Sequence, residues 1–309
     1  MKIQYLGTAA AEGITAIFCE CETCKKTRER GGKNIRTRSQ ALIDDTILID
    51  LPADTYLHFL QFNVPMHTIK TCLITHNHAD HLYTKELEMR KKGFAHLEMS
   101  DPLTLYSDQS SYDAINETIA FYRISENDVV NKLLVPGVTF EVEGYKVTPV
   151  RASHDQKSSP VVFAIEKDGK SFLYGNDTSE LIEESMNTLK ALGHPLDMIS
   201  LDCTEACNHA EYIGHMSLER CIAFRDTLKK EGIADKNTVF ILNHFSHNSK
   251  DVLYDDFVEI AKEHDFLITY DGMVYEFKQK NLQAKNACKF FYFPNNLYIR
   301  PSSNCFGSA

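Results

Sequence analysis

The segment "TCLITHNHADHLYT" constrains this chain more than any other, because an apolar run there ends on a cluster of metal-capable side chains. Residues 71–75 read as a short buried strand. His76, His78, Asp80 and His81 follow within six positions. Side chains two apart leave a strand on the same face, so His76 and His78 are placed to grip one cation. The turn that follows swings Asp80 and His81 toward a second. Imidazole and carboxylate are donors that suit zinc and other divalent transition metals. One histidine alone would read as a hydrogen-bonded core residue; this grouping reads as a metal site.

Two cations need more ligands, and an α/β sheet presents its functional groups at other strand ends. His154 follows "YKVTPVRA", Asp177 follows "SFLYGN" and His244 follows "VFILN". The pattern predicts one ion on His76, His78 and His154, another on Asp80, His81 and His244, and Asp177 as a bridge. Zinc or manganese is the expected pair, although a nitrogen and oxygen set also accepts iron or nickel. Asp202 is a candidate for orienting a ligand histidine from behind.

A second cluster, "FCECETC", puts Cys19, Cys21 and Cys24 close together. The chain has nine cysteines, an odd number, and "MKIQYLGTAA" lacks the basic flank and apolar core of a secretory signal. Both features point to a reducing cytoplasm and away from a disulfide. Metal is the better reading, but three thiolates are one ligand short of a closed tetrahedral zinc site. Cys72 and Cys221 read as core packing, and Cys203 as buried.

Strand-like runs and helical patterns (84–92, 108–122, 180–191, 216–230, 250–264) alternate along the 309 residues, which argues for an α/β class. Asp168-Gly169 and Asp271-Gly272 are strong hairpin signals, Glu143-Gly144 a weaker one. No low-complexity linker interrupts residues 1–278, which read as one domain. The tail 279–309 follows, either disordered or a strap packed through Phe290, Phe291, Tyr292 and Phe293. No run approaches the roughly 18–20 apolar residues of a membrane helix.

The net charge of −10 disfavours a nucleic-acid polymer as partner. One stretch runs the other way: residues 25–38 hold seven Lys/Arg against Glu29 alone. It is either a solvated helix end and loop or a phosphate-facing arm, with Arg36 and Arg38 as contacts. His58, His67, His96, His194 and His264 read as structural or exposed, and His209 stays undecided.

H-x-H-x-D-H after a strand, a distant His154, Asp177 in "GNDT" and His244 before the last helix together resemble the metallo-β-lactamase fold. That resemblance implies an αββα four-layer sandwich built from two pseudo-repeated halves. Within the superfamily, "GTAAAEGITAIFCECETC", the Arg-rich stretch, "SQALID", "LDCTEA", "NHFSHN" and "YDGM" are similar to the cyclic-phosphate phosphodiesterases of phosphonate breakdown. The likeness spans about residues 1 to 277 and is loosest over 82–135, where such folds shape their substrate pocket. It implies that His247 completes a structural zinc site with Cys19, Cys21 and Cys24. It also implies that His215, in "YIGHMSLE", protonates the leaving group. β-Lactamases with a metal-binding Cys differ here, since Asp177 takes that place. The expected function is therefore di-metal hydrolysis of a small cyclic phosphate, either a cyclic ribose phosphate or a 2′,3′-cyclic nucleotide, with Asp80 and His215 in catalysis. A tRNA-processing-type ribonuclease and a non-hydrolytic accessory protein of cofactor assembly are the alternatives. The expected partner is a small phosphodiester, with no membrane; pairing of two copies is left open.

Overall fold

The computed structural model describes residues 1–98, 101–155, 158–209 and 213–277. The tail 279–309, with its aromatic run, lies outside the described residues. The first half runs β1 (Lys2–Gly7), α1 (Glu22–Arg30), β2 (Gln40–Ile43), β3 (Ile47–Ile49), α2 (Thr55–Phe62), β4 (Thr71–Leu73), β5 (Leu103–Ser107), α3 (Gln109–Tyr122) and β6 (Val129–Leu133). The second runs β7 (Phe140–Val142), β8 (Tyr145–Arg151), β9 (Val161–Lys167), β10 (Lys170–Gly175), α4 (Glu183–Lys190), β11 (Met198–Asp202), α5 (Leu218–Lys230), β12 (Val239–Asn243), α6 (Tyr254–Lys262), β13 (Phe266–Ile268) and β14 (Met273–Glu276).

These strands form two sheets, ordered β14-β1-β2-β3-β4-β5-β6 and β13-β12-β11-β10-β9-β8-β7. Each has the same grammar: antiparallel pairings from one edge to the middle, parallel pairings from there to the other. Alternation along each strand divides its side chains between two cores. In and after β4, Leu73 faces the opposite sheet while Cys72 and Ile74 face outward. Between the sheets pack Tyr5, Ile43 and Ile49 with Val147, Phe163 and Tyr174. Outside the first sheet, Leu42 and Leu105 meet Ile115 of α3. Outside the second, Leu173 and Leu201 meet Cys221, Phe224 and Leu228 of α5 and Phe257 of α6. The result is the αββα sandwich. No helix among the described residues is long and apolar enough to cross a membrane.

The turns separate local signals from tertiary ones. Asp168-Gly169 joins β9 to β10 with φ of 52° and 69°, and Glu143-Gly144 joins β7 to β8 with φ of 50° and 77°. Both are two-residue loops with left-handed residues, as a type I′ turn requires. Asp271-Gly272 makes no hairpin, because β13 and β14 belong to different sheets. The Asp271 carboxylate instead accepts from Thr8 Oγ1 at 2.7 Å and Thr37 N at 2.6 Å, and Gly272 N donates to Tyr5 O at 2.7 Å. These bonds carry the chain across to β1. A hairpin at Asp44–Thr46, linking β2 and β3, had no such signal. Its Asp44 and Asp45 both adopt positive φ, which aspartate tolerates better than most residues.

Candidate metal centre

The parallel strands of both sheets point their C-terminal ends toward a common edge, joined where Val161 N donates to Thr75 O at 3.0 Å. From the first sheet, the turn after β4 presents His76, His78, Asp80 and His81. His81 is fully buried, with Nδ1 2.7 Å from Asp50 Oδ2. Asp50 is itself fixed by Thr75, whose N donates to Oδ1 at 2.8 Å. That support leaves His81 Nε2 facing Asp80 Oδ2 at 3.3 Å, His244 Nε2 at 3.4 Å and the Asp177 carboxylate. Sequence reasoning missed Asp50, although an aspartate closing the apolar run "ILID" was a visible signal.

From the second sheet, candidate ligands arrive one per strand end. His154 follows β8, with Nδ1 3.1 Å from Gly214 O and Nε2 3.1 Å from His78 Nδ1. Asp177 follows β10 and His244 follows β12, both at positive φ (48° and 64°). Left-handed backbone at a non-glycine residue costs free energy and tends to mark functional turns. Asp202 ends β11 and serves several groups at once. Its Oδ2 lies 3.0 Å from His215 Nδ1 and 3.4 Å from His244 Nδ1, and accepts from Asp177 N at 3.1 Å. Thr204, another residue the sequence did not single out, places Oγ1 2.9 Å from His244 Nδ1 and 3.1 Å from His215 Nδ1.

The ligand atoms of His76, His78 and His154 lie within 4.8 Å of one another, as do those of Asp80, His81, Asp177 and His244. Asp177 also comes within 3.7 Å of His154 Nε2 and 4.0 Å of His76 Nε2, so it borders both groups. The donor chemistry fits divalent cations. His76 Nε2 is buried without a hydrogen-bond partner, and imidazole nitrogens face one another across the site. Orphaned buried polar atoms are costly unless something binds them. Burial, reinforced by the neighbouring His81, pushes the His76 pKa well down, and burial lowers His154, which favours neutral ligand forms. Burial also opposes charge on His81 and His244, but surrounding carboxylates outweigh it and hold both pKa values well above the ordinary range. Asp80 and Asp177 are correspondingly held well below theirs, against burial, by these histidines.

At the other cluster, Cys19, Cys21, Cys24 and His247 bring their ligand atoms within 4.8 Å of one another. Cys21 caps α1 and accepts from Cys24 N at 3.4 Å, with His247 Nδ1 3.5 Å from its sulfur. Ala16 N donates to Cys24 Sγ at 3.4 Å. Burial pushes the Cys21 thiol up, but His247 and the amide of Cys24 outweigh it and bring its pKa down to about 6. Cys24 goes up to about 11 through burial. Described cysteines are all free thiols, so this S₃N set suits a closed zinc site.

Arg36 requires a correction. It is only 2 % exposed, donates to Thr8 Oγ1 at 2.9 Å and Thr269 O at 2.6 Å, and stacks 4.3 Å over the Phe245 ring. A guanidinium packed in this way joins loops of the body and is no surface contact for phosphate. Arg38 pairs with Asp54 at 2.9 Å and donates to Ala11 O at 2.9 Å. His58 is buried between Thr37 and Gln40, His194 pairs with Glu166, and His67, His96 and His264 are exposed. His209 is an exposed residue 3.1 Å from Glu219.

The family model described as a beta-lactamase superfamily domain matches residues 46–244, more than half of the chain. Against proteins of curated function the sequence has no match. Among solved structures, zinc-bound PqqB from Methylobacterium extorquens is similar at 19 % identity and a TM-score of 0.69, over 90 % of this chain and 100 % of that one. A diphosphatase of the PhnP family is similar at 19 % identity and 0.66, over 90 % and 98 %. Human tRNase Z, short form, is similar at 17 % identity and 0.62, over 90 % and 100 %. At these identities the structures speak to the fold, and it is the fold found here. With its matching residues running from β3 to His244, the chain belongs to the β-lactamase superfamily and has the metallo-β-lactamase fold.

Proposed function

We propose that the protein is a metal-dependent phosphodiesterase acting on a small cyclic phosphate, a cyclic ribose phosphate or a 2′,3′-cyclic nucleotide, in a reducing cytoplasm. The observation that carries this reading is the placement of His215 against the ligand groups, with Nδ1 3.0 Å from Asp202 and 3.6 Å from Asp177 Oδ1. His76, His78 and His154 would hold one divalent cation, and Asp80, His81 and His244 the other, with Asp177 between them. Bound there, two cations would lower the pKa of a water toward about 7 and neutralise charge gathering on a phosphate.

The chain's own residues supply the rest. Asp50 and Asp202 fix the tautomers of His81 and His244, so that Nε2 of each faces the site. Burial works against charge on His215, but Asp202 and Asp177 outweigh it and raise its pKa. The imidazole therefore keeps a proton to give to a departing alkoxide, the group that needs it most. Asp177 in place of a metal-binding cysteine argues against lactams, and the charge of −10 against RNA.

The test is a hydrolysis panel of bis(p-nitrophenyl) phosphate, 2′,3′-cyclic nucleotides, a cyclic ribose phosphate, lactones and a precursor tRNA. Turnover of the cyclic phosphates above the rest is expected. Preference for the tRNA would favour the ribonuclease reading, and no turnover by metal-loaded protein would favour an accessory binding role.

A further inference from the structure

The loop that carries His215 is anchored by a residue outside both ligand groups. Arg220, in the first turn of α5, donates from Nη1 to the His215 carbonyl at 2.7 Å. Its Nε donates to Glu180 Oε1 at 2.9 Å, and its Nη2 to Glu180 Oε2. Glu180 lies three residues beyond Asp177 in sequence. One guanidinium thus joins the loop of the shared carboxylate to the loop of the proton donor. Between these anchors, Gly214 O accepts from His154 Nδ1 at 3.1 Å, and Met216 N donates to Asp202 Oδ1 at 3.0 Å.

We infer that Arg220, held by Glu180, is a positioning residue for His215, setting how far the imidazole reaches toward the leaving group. The inference rests on the reading of His215 as the proton donor. The geometry calls for arginine: two parallel bonds to a carboxylate and a third to a carbonyl need a planar fork with spare donors, which lysine lacks. The pair's side chains are 27 % and 41 % exposed, so as an ion pair it adds little to stability. Position is a different matter, because a displacement of about 1 Å at a reacting group can cost on the order of 10²-fold.

Turnover of a nitrophenyl diester and of a cyclic phosphate with an alkoxide leaving group, together with metal content, should be measured for wild type, His215→Ala, Arg220→Met and the exchange Glu180→Arg with Arg220→Glu. Arg220→Met should lose roughly 10²-fold on the alkoxide substrate, only a few-fold on the nitrophenyl ester, and no metal. The exchange restores an ion pair but offers no donor to the His215 carbonyl, so it should keep the same selective loss. Equal losses on both substrates, recovery of alkoxide turnover in the exchange, or loss of a metal equivalent would each overturn the inference. If His215→Ala is selective while Arg220→Met is not, only the positioning role falls. If His215→Ala itself is unselective, the reading of His215 as proton donor falls too.

Discussion

The two sheets share one grammar of pairing yet equip the site differently. The first delivers His76, His78, Asp80 and His81 from a single turn after β4, whereas the second delivers His154, Asp177 and His244 from three separate strand ends. A turn can crowd ligands because its geometry is local. Strand ends hold theirs apart until the sheet assembles. The supports differ in the same sense: Asp50 serves one imidazole, while Asp202 reaches His215, His244 and the amide of Asp177. The first half is therefore concentrated in one turn, and the second is distributed and cross-linked.

The largest expected effect tests the concentrated half. Asp80→Ala and His81→Ala should each lower phosphodiester turnover by several orders of magnitude without added metal, with loss of one metal equivalent. The two should differ in stability. His81→Ala strands the buried Asp50 without its partner, at a cost of about 3–5 kcal/mol, whereas Asp80→Ala leaves no such orphan. Near-normal turnover in either variant would end the two-cation reading.

Next comes a direct contrast between supports, Asp202→Asn against Asp50→Asn. Loss of an outer carboxylate typically costs about 10–100-fold in metal affinity or activity. Asp50→Asn should stay within that range and treat all leaving groups alike. Asp202→Asn should exceed it and fall hardest on alkoxide leaving groups, since His215 loses its partner as well. Equal, unselective losses would show that the second half is no more cross-linked than the first.

The same contrast explains what could be read in advance. Four ligands in one turn are visible in a linear string, and His154, Asp177 and His244 were findable because each follows an apolar run. The two-residue turns at Glu143-Gly144 and Asp168-Gly169 are local chemistry and formed where their residues indicated. Asp271-Gly272 carries the same local signal, but hydrogen bonds to Thr8, Thr37 and Tyr5 override it. Thr204 and Arg220 were illegible because each acts by touching loops far away in sequence, and Arg36 misled because a run of charge conceals which member points inward.

A smaller effect is expected at the cysteine cluster. Cys21→Ser should remove about one zinc equivalent and lower thermal stability, with turnover falling modestly because His247 lies three residues from His244. Retention of every metal equivalent by Cys21→Ser would refute the structural site.

The smallest expected effect in wild type hides two larger ones that oppose each other beneath the first half. Thr37 Oγ1 lies 2.7 Å from His58 Nε2 and 2.6 Å from Asp271 Oδ2. Burial pushes His58 down from 6.5 to about 4 and pushes Asp271 up from 3.8 to about 6. The depressed histidine gives stability that is present above pH 6.5 and lost as pH falls toward about 4. The raised carboxyl binds its proton more tightly in the folded chain, so its contribution grows as pH falls from about 6 to 3.8. The two contributions run in opposite directions over the same acid range. Beneath the second half, the corresponding polar bridge is made of amides, Asn243 Nδ2 to Asn176 Oδ1 at 3.1 Å and Asn176 Nδ2 to Ser39 Oγ at 2.7 Å, which do not titrate. Denaturation at pH 6.5 and 4.5 separates the terms. Relative to wild type, His58→Gln should gain stability on acidification and Asp271→Asn should lose it, while Asn176→Ala should be equally destabilised at both. Shifts of the same sign in the first two variants would mean that His58 and Asp271 do not titrate against each other.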